Sequence, residues 1–563
     1  MGLKRLPLDD PAFHSIVSGN YLYADKTQYI YKLITRFRCC FLSRPRRFGK
    51  TLLLDTVGEL FGGERELFRG IWIDARKKYN CQRHPVLRFN MSNADRQDPD
   101  YLRDSIANDL RDFAEQEKIT LTRDTYGDMF GELLKALYKK HGVGSVVLID
   151  EYDAPVALNI ADRELATANS DILHNFYTAM KRNKDFIRFS LVTGVTRFAF
   201  AALDSGPNNF FDISLDPEFA GICGFTIKEF YNLFNDRLPR TIESLKKTGA
   251  LEKDADETAL LKTIAGWYDG YNWLAKQRVM NPYSIINLFY KKKLSTYWPL
   301  SGKPTYISKL AAKNPLDYMY PKLDSYFSEE IETAGLGKIL PAPVLFHSGY
   351  LTIDKQVFVE TSLQLGIVKE EAFIFKIPNM EVEKSFKAFI FGEIFETPPA
   401  YYQLFTKNII NALLNKDSQK IANLLHDLLA GITFKQHSAE EKFYHSLFHA
   451  AFVGAGIEIL SDTGSSDGLA DISLFLENKI RVVIELKYRR AKDSADEEES
   501  ERSGRALSSA LDDAENALFT KDYPGPFRAN AKKIICLALA VRGRTEVTAR
   551  LLDSVAALDK PVS

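Results

Sequence analysis

The stretch Ser43-Arg44-Pro45-Arg46-Arg47-Phe48-Gly49-Lys50-Thr51 constrains the fold of this chain more than any other. It follows a short apolar run, Cys39 to Leu42, that reads as a buried strand. It precedes Leu52, Leu53, Leu54, Val57, Leu60 and Phe61, which recur at helical spacing. Strand, tight loop, Gly-Lys-Thr and helix together form the pattern of a phosphate-binding loop. The backbone N–H groups of such a loop, with the N-terminus of its helix, set fixed positive potential against a triphosphate. Phe48 and Gly49 belong to the loop itself, Lys50 would reach the β- and γ-phosphates, and Thr51 would offer its hydroxyl to Mg²⁺. Arg46 and Arg47 could meet phosphate, nucleic acid or neighbouring acids, and the sequence leaves all three open. Arg44 stands where the motif's first glycine is expected.

About a hundred residues on, Ser145-Val146-Val147-Leu148-Ile149-Asp150-Glu151 is an apolar run of the kind found in parallel sheets, ending in two carboxylates. Asp150, at the strand's end, would hold the water shell of the Mg²⁺. Glu151 would polarise the attacking water, since hydrolysis needs a base beside the γ-phosphate. A third strand is expected over Phe189 to Arg197, ending in hydroxyls and an arginine. Thr193 or Thr196 could sense the γ-phosphate. Arg197 could stabilise transition-state charge, within the subunit or across an interface, or form a salt bridge.

Tyr23-Ala24-Asp25-Lys26-Thr27, Arg44 to Thr51, Ile149-Asp150-Glu151-Tyr152-Asp153-Ala154-Pro155 and Gly194-Val195-Thr196-Arg197-Phe198 resemble the AAA-ATPase-like family of bacteria and archaea. Trp267-Tyr268-Asp269-Gly270-Tyr271 and Asn281-Pro282-Tyr283-Ser284 extend the resemblance over most of the first three hundred residues. In that family Arg-Pro-Arg-Arg-Phe-Gly-Lys is the usual form of the loop, so Arg44 follows the family pattern. The resemblance also implies a nuclease-like domain toward the C-terminus.

The residues there agree. Beyond residue 440 comes a helix, then a strand over Leu469 to Leu476, a polar turn at Glu477-Asn478-Lys479, and a strand over Ile480 to Lys487. A two-residue period puts Glu485 and Lys487 on one face, and Asp471 can meet Glu485 across the pair. Two carboxylates and a lysine then face one point, as metal-dependent phosphodiester cleavage requires. Asp471 and Glu485, with the Leu486 carbonyl, would offer hard oxygens to Mg²⁺ or Mn²⁺, and Lys487 would orient the water. The pattern resembles the PD-(D/E)xK nuclease superfamily, in which Glu441 matches an acid carried on the first helix. His445 lies one turn further along. Gly468-Leu469-Ala470 lacks the arginine usual before the aspartate, and a helix over Ala506 to Leu518 lacks a glutamine expected near Ala517. Both departures bear on substrate grip more than on metal binding.

The expected fold is therefore α/β and multidomain. A P-loop NTPase core of the AAA-like type with a parallel sheet spans 1–225 and a helical lid 226–290. A helical connecting region follows over 291–400, then a restriction-endonuclease-like α/β domain over 401–563. Trp267, Tyr268 and Tyr271 are read as lid core, and residues 491–505 as a mobile acidic loop. The resemblances imply ATP binding and hydrolysis coupled to Mg²⁺-dependent cleavage of DNA; the alternative is a nucleotide-gated binding or signalling module whose nuclease-like domain is inactive. Homo-oligomers are an open expectation.

With 74 basic and 74 acidic side chains among 563 residues, the chain has no net charge, so a nucleic-acid partner would need a local basic patch. Lys487 to Arg490, Lys532-Lys533, Arg542 and Arg544 are the candidates. Five cysteines without paired or zinc-like spacing, no signal-peptide pattern and no bilayer-length apolar run fit a soluble cytoplasmic protein with no membrane partner.

Overall fold

The computed structural model describes residues 3–553 apart from 9–11, 76–78, 80–81, 94–97, 161, 198–209, 275, 299–304, 314–317, 319–320, 322, 324–325, 333–338, 364–365, 395–398, 433–439, 455–456, 466–467, 477–478 and 492–497. Phe198, Cys81, Ser301-Gly302, Thr397-Pro398 and Glu477-Asn478 therefore lie outside the described residues. The chain forms two compact units, residues 1–310 with 321–384, and residues 311–320 with 385–563.

The first unit is built on β1 (Cys39–Ser43), β2 (Val86–Asn90), β3 (Ser145–Asp150), β4 (Ile187–Gly194) and β5 (Phe211–Asp212), in the order β2-β3-β4-β1-β5. Every pairing in this sheet is parallel. Strands β3 and β4 are buried almost throughout, which is why they read as unbroken apolar runs. β4 separates β1 from β3, and the registers Ser43↔Gly194 and Ile149↔Val192 bring three carboxyl ends to one edge. Ligands bind at such edges of open α/β sheets. β4 stops at Gly194, short of the expected Arg197. The Asp153 carboxylate accepts the Val195 and Thr196 N–H groups (3.1 and 2.6 Å) that a longer strand would have offered to a neighbour.

Helices Ile227–Phe234, Leu238–Lys247, Glu257–Tyr268 and Pro282–Lys291 follow, with a short antiparallel pair of β6 (Phe225–Thr226) and β7 (Val279–Met280). The first of these helices starts on a capping box, Thr226 with Glu229. Phe230, Phe234, Leu260, Ile264, Leu288 and Phe289 form the core between them, and the rings of Phe234 and Phe289 stack at 4.6 Å. Tyr268 and Tyr271 are buried, Tyr268 within this core.

The connecting region adds strands to its helices. β8 (Tyr326–Phe327), β9 (Thr352–Leu363) and β10 (Gly366–Lys376) make an antiparallel sheet in the order β8-β10-β9. Half-buried Val357 and Val359 alternate with exposed Phe358 and Glu360, a two-residue period that suits a strand with one face in water.

The second unit holds β11 (Glu458–Ser465), β12 (Gly468–Leu476), β13 (Ile480–Arg489), β14 (Lys533–Arg542) and β15 (Glu546–Asp553), ordered as in the chain. Only β13 and β14 pair in parallel, so the chain must cross over between them. Helix Glu498–Thr520 makes that crossing, laying Ala510, Leu511, Ala514 and Leu518 on Val483, Cys536, Ala538 and Ala540. Residues 498–505, expected in a mobile loop, are thus the first turns of this helix, whose apolar stripe further on fixes it to the sheet. Among the described residues no helix is long and apolar enough to cross a membrane. Cys40, Cys223 and Cys536 are buried and Cys39 partly buried, and none of the four is in a disulfide.

Candidate functional sites

At the sheet edge of the first unit, Gly49 caps the helix Lys50–Gly62 with φ +93°, a left-handed conformation that favours glycine. Lys50 is 7% exposed and its Nζ donates to the carbonyls of Arg44 (2.9 Å) and Pro45 (3.0 Å), so the ammonium rests on its own loop. Burial lowers its pKa, against the opposing pull of Asp150 and Glu151. The Thr51 hydroxyl donates to Asp150 Oδ2 and the Thr193 hydroxyl to Asp150 Oδ1, each at 2.6 Å. Three expected site residues thus meet at one carboxylate. Thr193 orients Asp150 here, while the Thr196 hydroxyl goes to Asp153.

Glu151 has φ +50°, a strained backbone for a non-glycine residue. Among the described residues its carboxylate takes no side-chain hydrogen bond, and burial, then the Asp150 charge, raise its pKa. Half-buried Arg46 accepts the Trp298 indole N–H on its carbonyl at 3.2 Å. Exposed Arg47 holds its guanidinium 5.2 Å over the Tyr283 ring. Phe48 is buried edge-on against Tyr271 and Trp273. Arg197 is 4% exposed and ion-paired with Asp212 of the same unit, so its charge is already engaged inside the fold. An apolar cavity of about 90 Å³ lies against Phe48 and Gly49, with Tyr23, Lys26, Cys223 and Ile286 among its other walls. The Asp153 anchor and the Trp298 contact escaped sequence reasoning; Asp153 was visible only as one letter of a family motif.

In the second unit the β12–β13 ladder runs from Leu476↔Ile480 to Ile472↔Ile484. Asp471, one residue past that ladder, turns its carboxylate inward, and Oδ2 accepts the Leu486 N–H at 2.8 Å. Glu485 is 3% exposed; Oε1 accepts from Lys487 Nζ at 2.9 Å, while buried Oε2 takes no hydrogen bond among the described residues. Lys487 Nζ also donates to the Leu486 carbonyl (3.1 Å) and to Glu441 Oε1 (3.3 Å), and Glu441 Oε2 accepts the Tyr488 N–H at 2.9 Å. Asp471, Glu485, Lys487 and Glu441 therefore come together, from two strands and the first turn of helix Glu441–Gly454.

Burial, then the Asp471 charge, push the Glu485 carboxyl up to about 7, and burial raises Asp471 too. For Lys487, burial works downward, but its bond to Glu485 and the surrounding acids outweigh it and raise the pKa. Among the described residues no group of three or more His, Cys, Asp and Glu side chains converges as a ready-made metal cage. An orphaned buried carboxylate oxygen beside a second carboxylate still fits a hard divalent cation, and Mg²⁺ is commonly held through one or two carboxylates with waters completing its shell.

Part of the expected basic patch is ion-paired: Lys487 with Glu485 and Glu441, Arg489 with Asp513, and Arg542 with Glu546. Outside that patch, Arg550 pairs with Asp512 and Glu515. Lys533 pairs in register with Ile480, at the end of β13 away from Glu485, so Lys532-Lys533 do not flank the carboxylates.

The family model described as predicted AAA-ATPase matches residues 9–203, and that of the PD-(D/E)XK nuclease superfamily matches residues 439–550. A relative from Azotobacter chroococcum mcd 1, described as an uncharacterized protein in the vnfD 5' region, is 30% identical over 488 residues. The match covers 85% of this chain and 89% of the relative.

Proposed function

Because this chain belongs to the predicted AAA-ATPase family and carries a PD-(D/E)XK nuclease superfamily domain, we propose that it binds and hydrolyses ATP to govern a divalent-metal-dependent nuclease acting on DNA in the cytoplasm. The observation that carries the nuclease reading is the unpartnered Glu485 Oε2, buried beside Asp471 with Lys487 at hand.

On the nucleotide side, Lys50 would leave its loop carbonyls for the β- and γ-phosphates, a like-for-like exchange of acceptors that favours the charged ones. Thr51 and Asp150 would hold Mg²⁺, with Thr193 fixing which way Asp150 points. Glu151, its pKa raised by burial and by the Asp150 charge, would polarise the attacking water. The cavity against Phe48 and Gly49 suits the flat apolar faces of the base.

On the nuclease side, Asp471 and Glu485 would hold Mg²⁺ or Mn²⁺. Bound there, the ion supplies Lewis acidity toward the scissile phosphate and makes a water more acidic. Lys487 would orient the attacking water, and Glu441 would keep Lys487 from swinging into solvent. The division into core (1–225), lid (226–290), connecting region (291–400) and nuclease domain (401–563), and assembly into homo-oligomers, belong to the same proposal.

The test is cleavage of linear and circular plasmid DNA with Mg²⁺ or Mn²⁺, wild type beside Glu485→Ala. Cleavage that falls at least a hundredfold, ~2.7 kcal/mol in the barrier, in the variant supports the assignment. Equal cutting by both proteins would place the chemistry elsewhere. No cutting of DNA by the wild type, with RNA cut in a Glu485-dependent way, would change the substrate and keep the site.

A further inference from the structure

His445 is the second side chain that helix Glu441–Gly454 sends to the carboxylate cluster, and it reaches a different part of it. Its Nε2 lies 2.7 Å from the backbone carbonyl of Asp471. A carbonyl oxygen can only accept, so Nε2 carries the proton and the imidazole is a donor. Asp471 needs such a partner because it sits past the last paired residues of the β12–β13 ladder. Its carboxylate is fixed by the Leu486 N–H, and its carbonyl by His445. Glu441 and His445 are four residues apart, on one face of the helix. One holds Lys487 and the Tyr488 N–H; the other holds Asp471.

We propose that His445 is a positioning residue of the nuclease centre, setting the direction of the Asp471 carboxylate toward Glu485 through the Asp471 main chain. The inference rests on the reading of Asp471 and Glu485 as a metal-holding pair. The β11 pairings of Ala470 and Ile472 hold the strand on either side. Without the imidazole the Asp471 carbonyl between them loses its side-chain donor, so the small rotation that aims the carboxylate is less closely fixed. Partners one step removed from a metal ligand commonly control affinity and activity by tenfold to a hundredfold.

Full-length wild type, His445→Ala, His445→Gln and Asp471→Ala are compared by calorimetric titration with Mn²⁺, by steady-state cleavage of linear DNA and by thermal unfolding. His445→Ala should bind Mn²⁺ about tenfold to a hundredfold more weakly and lose kcat in proportion, with KM for DNA and melting temperature close to wild type. His445→Gln, whose amide can donate to the same carbonyl, should recover most of both. Wild-type Mn²⁺ affinity in His445→Ala overturns the inference. So does a glutamine variant as defective as the alanine one, with both melting early, since that pattern marks a packing role. Wild type and Asp471→Ala binding Mn²⁺ equally, or neither binding it, would instead remove the metal-holding pair itself, and the positioning role with it.

Discussion

Arg44 shows why a glycine can be dispensable in a phosphate loop. The left-handed residues of the loop are Arg47 and Gly49, and Arg44 is not among them. Its side chain turns away from the phosphate edge, wholly buried, and donates to the carbonyls of Ser43 (2.8 Å) and Ser214 (2.7 Å) while lying 4.3 Å over the Trp273 ring. Burial lowers its pKa to about 10, which leaves it charged at neutral pH. Glu151 is the opposite case, a residue in a conformation that costs of order 1–3 kcal/mol and is kept only where surroundings enforce it. That strain, beside Asp150, argues for a residue selected for its carboxylate. Glu151→Gln should therefore leave nucleotide binding near wild type while lowering ATP turnover by about a hundredfold or more. Phosphate release beside equilibrium binding of a fluorescent ATP analogue measures both, and unimpaired turnover would remove Glu151 from the chemistry. Chemical types at the two sites were legible in the sequence because motif spacing encodes them. Their partners were not: that Thr193 serves Asp150, or that His445 serves the Asp471 carbonyl, depends on which atoms the fold brings within 3 Å.

At the level of elements, legibility followed how local the determining forces are. The phosphate-loop strand and helix, β3 and the β12–β13 hairpin carry strong period or turn signals and lie where the sequence places them. The β9–β10 ribbon and the first turns of helix Glu498–Thr520 do not, because the former is half exposed and the latter are stabilised from further along the helix. Glu381, in the first turn of helix Met380–Ile394, was equally invisible. It is buried and accepts from the Tyr297 N–H (2.6 Å), the Trp298 N–H (3.0 Å) and the Ser284 hydroxyl (2.7 Å), tying residues 297–298 to helix Pro282–Lys291. Burial nonetheless prevails and pushes its carboxyl up to about 7. In the unfolded chain the same group ionises near 4.5. The unfolded state therefore releases this proton first, and stability falls as pH rises from about 4.5 to about 7, then levels off. Glu381→Gln removes the burial penalty on the charge. It should melt a few degrees above wild type at pH 8, up to about 3 kcal/mol more stable, with the advantage shrinking toward pH 5. Parallel melting curves for the two proteins across that range would show that the three donors already neutralise the cost.

For the whole molecule the question is why one chain carries both sites. Its net charge is zero, and Arg489, Arg542 and Arg550, on β13, β14 and β15, are paired with acids of helix Glu498–Thr520 and of β15. Those pairs lower the local positive field with which the second unit could draw in a polyanion such as the proposed DNA substrate. On the proposed reading, the phosphate loop is where ATP would act on that grip. Lys50 is bonded to its own loop carbonyls, and on the proposed reading a triphosphate would take the lysine from them. A ligand shifts a two-state element only by its differential affinity for the two states, and on the proposed reading lysine–phosphate bonds would supply that difference. Lys50→Ala should weaken triphosphate binding about tenfold to a hundredfold, as expected for loss of a charge-assisted bond. Its DNA cleavage should be the same with and without ATP, whereas the wild-type rate should change with ATP by about tenfold. A variant that still answers to ATP would refute the loop assignment. A wild type that binds ATP yet cuts at one rate regardless would mean that the two sites share a polypeptide without sharing a switch, and the purpose of the loop's self-bonded state would then have to be sought in ATP turnover alone.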